Sequence, residues 1–340
     1  MADDSEPGLG LDLPAGAPAA EPYRVLARKY RPQNFTGLIG QDALVQTLRN
    51  AFASGRIAHA FMLTGVRGVG KTTTARIIAR ALNCVGPDGK RNSPTIDPCG
   101  VCEPCRSIAE GRNVDVLELD AASNNGVDEI REITDGVRYA PASARYKVYI
   151  LDEVHMLSKQ AFNALLKTLE EPPPHVEFIF ATTEMRKVPV TVLSRCQRFD
   201  LRRVETETLA KYLGDIAARE KVDIEPSALS LIARAAEGSV RDGLSLLDQA
   251  IAHSEGAAAI GAEAVRGMLG LADRGRVLDL FEKLMGAKIA EALTDLRELY
   301  DRGADPLVVM QDLLESTHFL TRVKVAPGAE GFFEIGRAHV

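Results

Sequence analysis

Residues 65–72 have the spacing of a phosphate-binding loop, because four residues separate Gly65 from Gly70 and a lysine and a threonine follow. The glycines let the backbone turn its N–H groups toward phosphate oxygens, and the lysine ammonium adds positive charge. A short apolar run precedes the loop and a helical pattern follows it, as such a loop requires. We therefore expect Lys71 to contact the β- and γ-phosphates of ATP and the Thr72 hydroxyl to bind Mg²⁺. The other nucleotide contacts expected here are Gly65, Val66, Arg67, Gly68, Val69, Gly70 and Thr73.

Two adjacent carboxylates, Asp152 and Glu153, follow the apolar run 148–151. Ligands of parallel sheets lie outside the carboxyl ends of the strands, so a pair at this position faces the ligand. We expect Asp152 to hold Mg²⁺ through water and Glu153 to orient and deprotonate the attacking water. A solvated acidic strand end is the alternative interpretation. The complete phosphate loop in the same chain favours the catalytic one.

Four of the five cysteines have the spacing C-x14-C-x2-C-x2-C and are Cys84, Cys99, Cys102 and Cys105. Four thiolates close a tetrahedral zinc site without an open position, so we predict a structural zinc ion. An iron–sulfur cluster is a competing interpretation, although its bacterial signature places the fourth cysteine downstream. A metal-free group of thiols is the other. Cys196 lies elsewhere and is expected to be a small buried side chain.

The elements that must position these groups follow from the hydrophobic periodicity. Short apolar runs predict strands buried on both faces at 61–64, 116–119, 148–151 and 177–181. Helical patterns lie between them, notably at 71–83 and 158–170. Strands that alternate with helices indicate a parallel sheet with helices on both sides, which is an α/β fold.

After residue 203 the pattern changes to helices alone. Apolar stripes predict three helices in a small domain, and the third begins at Ser239. Further helices are predicted from about residue 273, one of which starts at Pro306. The resulting domain scheme is a disordered tail at 1–22, a core at 23–203 with the cysteine insert at 84–110, a helical domain at 204–268, a second, incomplete helical domain at 269–333 and a non-native tail at 334–340.

Composition limits the classes of function. The 340 residues suit two or three domains, and no apolar run is long enough for a membrane span. The acidic N-terminus is unlike a secretory signal, so we expect a cytoplasmic protein. The net charge of −6 and the lack of tryptophan argue against a chain coated with nucleic-acid-binding residues. If DNA is bound, we expect contacts to its backbone rather than to its bases.

With these motifs combined, the chain resembles the AAA+ clamp-loader ATPases, and within them the gamma/tau subunit family of bacterial DNA polymerase III. The residues that carry the resemblance are 26–35, 39–41, 59–61, the phosphate loop, the cysteine insert, 152–157, 162–172, 181–183, 193–196 and 238–242. The resemblance implies a P-loop NTPase fold with a RecA-like parallel sheet and a zinc-binding insert. A three-helix lid and a partial all-α collar follow, corresponding to 204–268 and 269–333.

The resemblance also implies further roles. Thr183 would sense the γ-phosphate, Arg195 would reach into a neighbouring subunit's ATP site, and Arg241 would touch the phosphates of its own subunit's nucleotide. Without the resemblance, these residues are a strand-end hydroxyl and two solvated charges. The residues implied to lie near the adenine are Arg28, Tyr30, Arg31, Pro32, Ile39 and Gly40.

Family members load a ring-shaped sliding clamp onto primed DNA. The implied partners are further gamma/tau copies, the delta and delta-prime subunits, the clamp and primed DNA. The replicative helicase and the polymerase core are reached only through a tau-type extension that is not visible here. Nucleotidyl transfer, the activity of a DNA-directed DNA polymerase, is expected to belong to the holoenzyme, because no polymerase carboxylate constellation is evident.

Two other classes of function share some of these motifs. The residues Asp152 to His155 also suit a helicase of the DExH type. Such a helicase needs a second RecA-like domain, and residues 204–333 predict only helices. A scaffold that binds nucleotide without hydrolysing it is the other class, and the intact Lys71, Thr72, Asp152 and Glu153 argue against it.

Overall fold

The computed structural model describes residues 23–254, 259–269, 274–301 and 304–325. The tails predicted at 1–22 and 334–340 lie outside the described residues. Within the described ranges, no helix is both long enough and apolar enough to span a membrane.

A five-stranded parallel sheet forms the first half of the chain. Its strands are β1 (Ala60–Thr64), β2 (Val116–Asp120), β3 (Lys147–Asp152), β4 (Val176–Thr182) and β5 (Gln197–Asp200), in the order β2-β3-β4-β1-β5. The four predicted strands are confirmed. β5 adds a fifth at the edge beyond β1, with Thr64 opposite Asp200.

Seven helices accompany the sheet in the described residues. They are α1 (Leu26–Lys29), α2 (Asp42–Ser54), α3 (Lys71–Asn83), α4 (Glu103–Ala109), α5 (Val127–Gly136), α6 (Lys159–Glu170) and α7 (Val190–Leu193). The predicted helices at 71–83 and 158–170 are therefore confirmed as α3 and α6. Ser158 caps α6, because its hydroxyl accepts a hydrogen bond from the Ala161 N–H at 3.1 Å.

The two faces of the sheet bury separate cores. Along β4, Ile179 and Ala181 face the core shared with α2 and α3, whereas Phe178 and Phe180 face the core shared with α5 and α6. This alternation is what a strand covered on both sides requires. The central strands are therefore rigid supports for the residues at their ends.

β2 differs from the prediction of a strand buried on both faces. Its Leu117 is 36% exposed, and Glu118 is also exposed. Among the described strands, β2 pairs with β3 alone and forms an edge of the sheet, so its side chains are covered less completely than those of the central strands. Glu118 instead pairs with Arg76 of α3, at 2.7 and 2.9 Å.

The second half of the described chain is helical. Four helices, α8 (Thr206–Arg219), α9 (Pro226–Ala235), α10 (Val240–His253) and α11 (Ala262–Leu269), share one core. Three of them were predicted, including the start of α10, where the Ser239 hydroxyl accepts from the Asp242 N–H at 3.2 Å. A further group consists of α12 (Arg274–Met285), α13 (Ile289–Asp301) and α14 (Pro306–Val325). Pro306 opens α14, as predicted.

The N-terminal segment links the helical half to the sheet. Leu26 is buried in the core of α8–α11, and Lys29 donates to Glu220 beside α8 at 2.9 Å. Further along the same segment, the Gln33 carbonyl accepts a hydrogen bond from Arg80 of α3 at 2.5 Å. Residues 23–33 therefore touch both the helical domain and the helix that follows the phosphate loop.

A carboxyl group is buried inside the sheet at Glu177 of β4. It is 6% exposed, its Oε2 has no hydrogen-bond partner among the described residues, and burial raises the pKa of this carboxyl to about 8. The folded chain therefore keeps the proton between pH 4.5 and 8, where the unfolded chain loses it. Stability from this group is greatest at low pH and falls as the pH rises through that window.

We predict that Glu177→Gln, which retains the shape of the neutral acid, increases the free energy of unfolding at pH 8. The expected gain is on the order of a few kcal/mol and shrinks as the pH falls toward 5. Urea unfolding of both proteins at pH 5, 6.5 and 8 measures it, with the exposed Glu171→Gln as control. A difference between Glu177→Gln and the wild type that does not change with pH would contradict a buried, protonated Glu177.

Candidate nucleotide-binding site

Three strands bring the predicted groups to one edge of the sheet. β1 ends at Thr64 and leads into the loop 65–70, β3 ends at Asp152, and β4 lies between them and ends at Thr182. Because the strands are parallel, their carboxyl ends face the same side. The phosphate loop, the acidic pair and Thr183 are therefore neighbours.

The predicted magnesium ligands are in contact. Thr72 Oγ1 donates to Asp152 Oδ2 at 2.6 Å, and the Glu153 N–H donates to Asp152 Oδ1 at 2.9 Å. A hydroxyl and a carboxylate are oxygen ligands of the kind that Mg²⁺ prefers, and Mg²⁺ retains several waters when bound this way. The pair therefore fits a Mg²⁺ ion that also binds phosphate oxygens.

Lys71 is a buried cation with neutral partners. Its side chain is 6% exposed, and Nζ donates to the carbonyls of Gly65 and Val66 at 3.0 and 3.1 Å. Burial lowers the pKa of Lys71, while Glu153 and Asp152 oppose that shift. Within the described part of the chain, carbonyls are the hydrogen-bond partners of this buried ammonium, which is therefore well suited to bind an anion.

The loop needs glycine for its backbone conformation. Gly65, Gly68 and Gly70 have φ values of 146°, 79° and 102°, which side chains rarely adopt. Gly65 also packs closely, because a Cβ there would lie 2.7 Å from the Leu201 carbonyl. Val69 is buried in the sheet core, whereas Arg67 is exposed.

Glu153 is held at the end of the acidic strand by its backbone and by β4. Its φ and ψ are 47° and 43°, a left-handed conformation that is uncommon outside glycine. Its Oε2 accepts hydrogen bonds from the Thr183 N–H at 3.3 Å and from Thr183 Oγ1 at 3.1 Å. His155 lies between two carboxylates, 3.5 Å from Glu153 Oε2 and 3.4 Å from Glu184 Oε1. Glu184 was not predicted, because no spacing rule connects it to Glu153.

Two arginines add positive charge to the site. Arg31 Nε donates to Thr73 Oγ1 at 3.0 Å. Burial lowers the pKa of Arg31, nearby Arg76 and Arg241 lower it further, and Glu118 and Asp152 oppose the shift. Arg31 therefore lies beside the helix that begins at Lys71. The family resemblance implies a position near the adenine for Arg31, and that role stays a prediction.

The helical domain touches the phosphate loop directly. The Arg241 N–H donates to the Gly68 carbonyl at 3.2 Å, and a Cβ at Gly68 would lie only 1.9 Å from Ser239 Oγ. The start of α10 is therefore packed against the loop. The guanidinium of Arg241 is near enough to Arg31 to lower the pKa of Arg31.

Of the remaining residues implied to lie near the adenine, three contact the helical domain. Tyr30 donates to Glu220, Ile39 packs against the core of α8–α11, and Gly40, with φ of 69°, lies against Val204. Pro32 is half-buried beside Gly37, and Arg28 is exposed.

Arg195 is not brought into the site. It follows α7 and precedes β5, so it lies at the amino end of the sheet, whereas the phosphate loop lies at the carboxyl end of β1. The five residues of β1 span roughly 16 Å. Arg195 therefore lies beside the edge strand β5, at the end of the sheet opposite to the phosphate loop of its own chain.

The structure gathers the four predicted zinc ligands. The Sγ atoms of Cys84, Cys99, Cys102 and Cys105 all lie within 4.8 Å of one another. A tetrahedral ion with Zn–S bonds of about 2.3 Å needs sulfurs roughly 3.8 Å apart, so a small contraction suffices. An iron–sulfur cube places iron and sulfide between the thiolates and would hold them farther apart.

Backbone N–H donors to the sulfur of Cys84, and the distance of this residue from Lys71, support a structural role for the cysteine cluster. Cys84 Sγ accepts from the N–H groups of Gly86 and Cys99, at 3.4 and 3.3 Å. Such donors stabilise thiolates. The 13 residues of α3 separate Cys84 from Lys71, a distance of about 20 Å.

Three family profiles match consecutive parts of the chain, and all three describe subunits of DNA polymerase III. The profile described as "DNA polymerase III, delta subunit" matches residues 40–205. "DNA polymerase III clamp loader subunit, ATPase lid domain" matches 208–256, and "DNA polymerase III subunits gamma and tau domain III" matches 260–338.

Individual relatives are similar over nearly the whole chain. DNA polymerase III subunit tau of Escherichia coli (strain K12) is 46% identical over 91% of this chain and 47% of that protein. The tau subunit of Bacillus subtilis (strain 168) is 44% identical, covering 92% and 54%. DNA polymerase III subunit gamma of Buchnera aphidicola subsp. Schizaphis graminum (strain Sg) is 40% identical, covering 90% and 82%. The chain thus spans about half the length of these tau subunits.

Among solved structures, the fold is similar to that of the Thermotoga maritima RuvB Holliday junction branch migration motor. The TM-score is 0.53 at 19% identity, over 75% of this chain and 79% of that one. At this identity the similarity concerns the fold alone.

The contact between the loop and α10 can be tested at Gly68. Gly68→Ala introduces a Cβ at positive φ and against Ser239, whereas Gly89→Ala has a similar φ of 71° and no neighbour within 4 Å. We expect Gly89→Ala to lose about 1 kcal/mol of unfolding free energy and Gly68→Ala at least about 1 kcal/mol more. Urea unfolding measures both losses. Equal losses would mean that the loop and α10 are not in contact.

Proposed function

Because the chain belongs to the gamma and tau subunit family of DNA polymerase III, we propose that it is an ATP-hydrolysing motor subunit of the replicative clamp loader. In this role it binds ATP with Mg²⁺ and uses hydrolysis to load the sliding clamp onto primed DNA. The observation that carries the proposal is the hydrogen bond from Thr72 to Asp152 beside the buried Lys71. This arrangement fits a triphosphate and its metal ion.

The binding step follows from the positively charged groups around the phosphate loop. Lys71 exchanges its two carbonyl partners for phosphate oxygens, and the amides of the loop add further donors. Arg31 and Arg241 add positive charge on the side of α3 and α10. Thr72 and Asp152 would hold Mg²⁺, whose charge would offset that of the phosphates. The residues between the sheet and the helical domain, such as Ile39, are left to contact the base.

The hydrolytic step assigns Glu153 as the group that orients and deprotonates water. Its Oε2 is already occupied by the Thr183 hydroxyl and N–H. A γ-phosphate that draws the Thr183 hydroxyl toward itself frees this oxygen for water. Thr183 therefore connects the presence of the γ-phosphate to the readiness of the base.

Arg195 serves another chain in this proposal. Its place at the amino end of the sheet separates it from its own phosphate loop. It is therefore free to complete the site of a neighbouring subunit, where a guanidinium can contribute a factor of roughly 10³ to 10⁵ in rate. Hydrolysis then requires assembly with further gamma/tau copies and the delta and delta-prime subunits. Binding of the clamp and primed DNA would trigger it.

The cysteine insert, the other subunits and the location in the cell also have a place in this function. We assign the four-cysteine cluster to a structural Zn²⁺ ion that ties the end of α3 to α4. Nucleotidyl transfer is assigned to other subunits of the holoenzyme, and helicase and polymerase-core contacts to a tau-type extension. A replication role implies a cytoplasmic protein.

ATP turnover by the chain assembled with its partner subunits, the clamp and primed DNA tests the motor role. We expect Lys71→Ala to lose both nucleotide binding and turnover. Arg195→Ala should bind nucleotide normally but hydrolyse it roughly 10³-fold more slowly. Arg195→Lys should recover little, because lysine lacks the guanidinium fork. Turnover by Lys71→Ala equal to that of the wild type would contradict the proposal.

Metal analysis of the purified protein tests the insert. We expect about one zinc per chain, loss of zinc with lower thermal stability in Cys102→Ser, and retention of zinc in the control Cys196→Ser. Iron in place of zinc, or metal-free protein with four reactive thiols, would contradict the assignment.

A further inference from the structure

The guanidinium of Arg195 is held within its own chain. Its NH2 donates to Glu170 Oε1 at 2.5 Å, and its NH1 donates to the Thr191 carbonyl at 2.5 Å and to Ser194 Oγ at 3.4 Å. The side chain is 30% exposed and that of Glu170 is 51% exposed. Arg195 is therefore fixed in place while part of it remains open to a neighbour.

The two partners differ in rigidity. Thr191 belongs to α7, a single turn of four residues. Glu170 is the last residue of α6, whose Phe162, Leu165 and Leu169 are buried against the sheet. A carboxylate at the end of an anchored helix gives the guanidinium a fixed reference point, which one helical turn alone does not provide.

We propose that Glu170 is the positioning residue for Arg195, an inference that rests on the proposed role of Arg195 in a neighbouring ATP site. An unrestrained arginine samples many rotamers, and this entropy is lost when its guanidinium is immobilised. Glu170 restricts the side chain before the neighbour arrives. The donors of Arg195 that are not bound to Glu170, Thr191 or Ser194 are left for phosphate oxygens.

This role differs from that of an ordinary surface ion pair. Ion pairs between exposed side chains contribute little to stability, so removing Glu170 should have little effect on folding. Misplacement of a catalytic group by about 1 Å can cost up to roughly 100-fold in rate. The effect of Glu170 is therefore expected in turnover and not in stability.

The test uses the full chain assembled with its partner subunits, the clamp and primed DNA. We expect Glu170→Ala to lower kcat for ATP roughly 10-fold, with the KM for ATP, the nucleotide affinity and the melting temperature unchanged. The matched control is Glu171→Ala, an exposed glutamate one residue further along, which should leave kcat unchanged. The double variant Glu170→Ala/Arg195→Ala should be no slower than Arg195→Ala alone, because Glu170 acts through Arg195.

The outcomes separate this proposal from the one on which it rests. If Arg195→Ala lowers kcat and Glu170→Ala does not, Glu170 is not the positioning residue and the role of Arg195 stands. A rise in kcat in Glu170→Ala, or a further loss in the double variant, would also overturn the positioning role. If Arg195→Ala itself leaves kcat unchanged, the role of Arg195 fails first.

Discussion

The hydrogen bond between Thr72 and Asp152 is the contact on which the rest of the site depends. It joins the loop after β1 to the end of β3, and β4 lies between those strands. That strand order places Thr183, at the end of β4, between the phosphate loop and Glu153. A different order of the same strands would separate the proposed metal ligands, the proposed base Glu153 and the proposed γ-phosphate sensor Thr183. The buried alternation along β4 keeps these ends at fixed positions.

A second constraint is the balance of charge around the loop. Among the described residues, buried Lys71 donates to two carbonyls, and Arg241 lies close enough to Arg31 to lower the pKa of Arg31. A bound triphosphate relieves both conditions. Because Arg241 belongs to α10 and Arg31 to the segment that contacts α8, the proposed nucleotide contacts would couple binding to the position of the helical domain.

The sequence determines the parts of this site that lie close together in the chain. The spacing of the phosphate loop and the apolar run before Asp152 predicted β1, α3 and β3 correctly. The exposure of β2 could not be predicted, because an apolar run does not reveal how many neighbours its strand has. Contacts between distant residues, such as Arg31 with Thr73 and Glu170 with Arg195, depend on tertiary packing, and no local pattern encodes them.

Isothermal titration of the full chain with ATP and Mg²⁺ tests the central claim most directly. The wild type is expected to bind about one nucleotide per chain. Thr72→Val, which removes the hydroxyl and keeps the shape, should bind it at least roughly 10-fold more weakly in the presence of Mg²⁺. It should bind like the wild type when Mg²⁺ is chelated. Equal affinity of both proteins for the magnesium nucleotide would contradict a metal site built on Thr72 and Asp152.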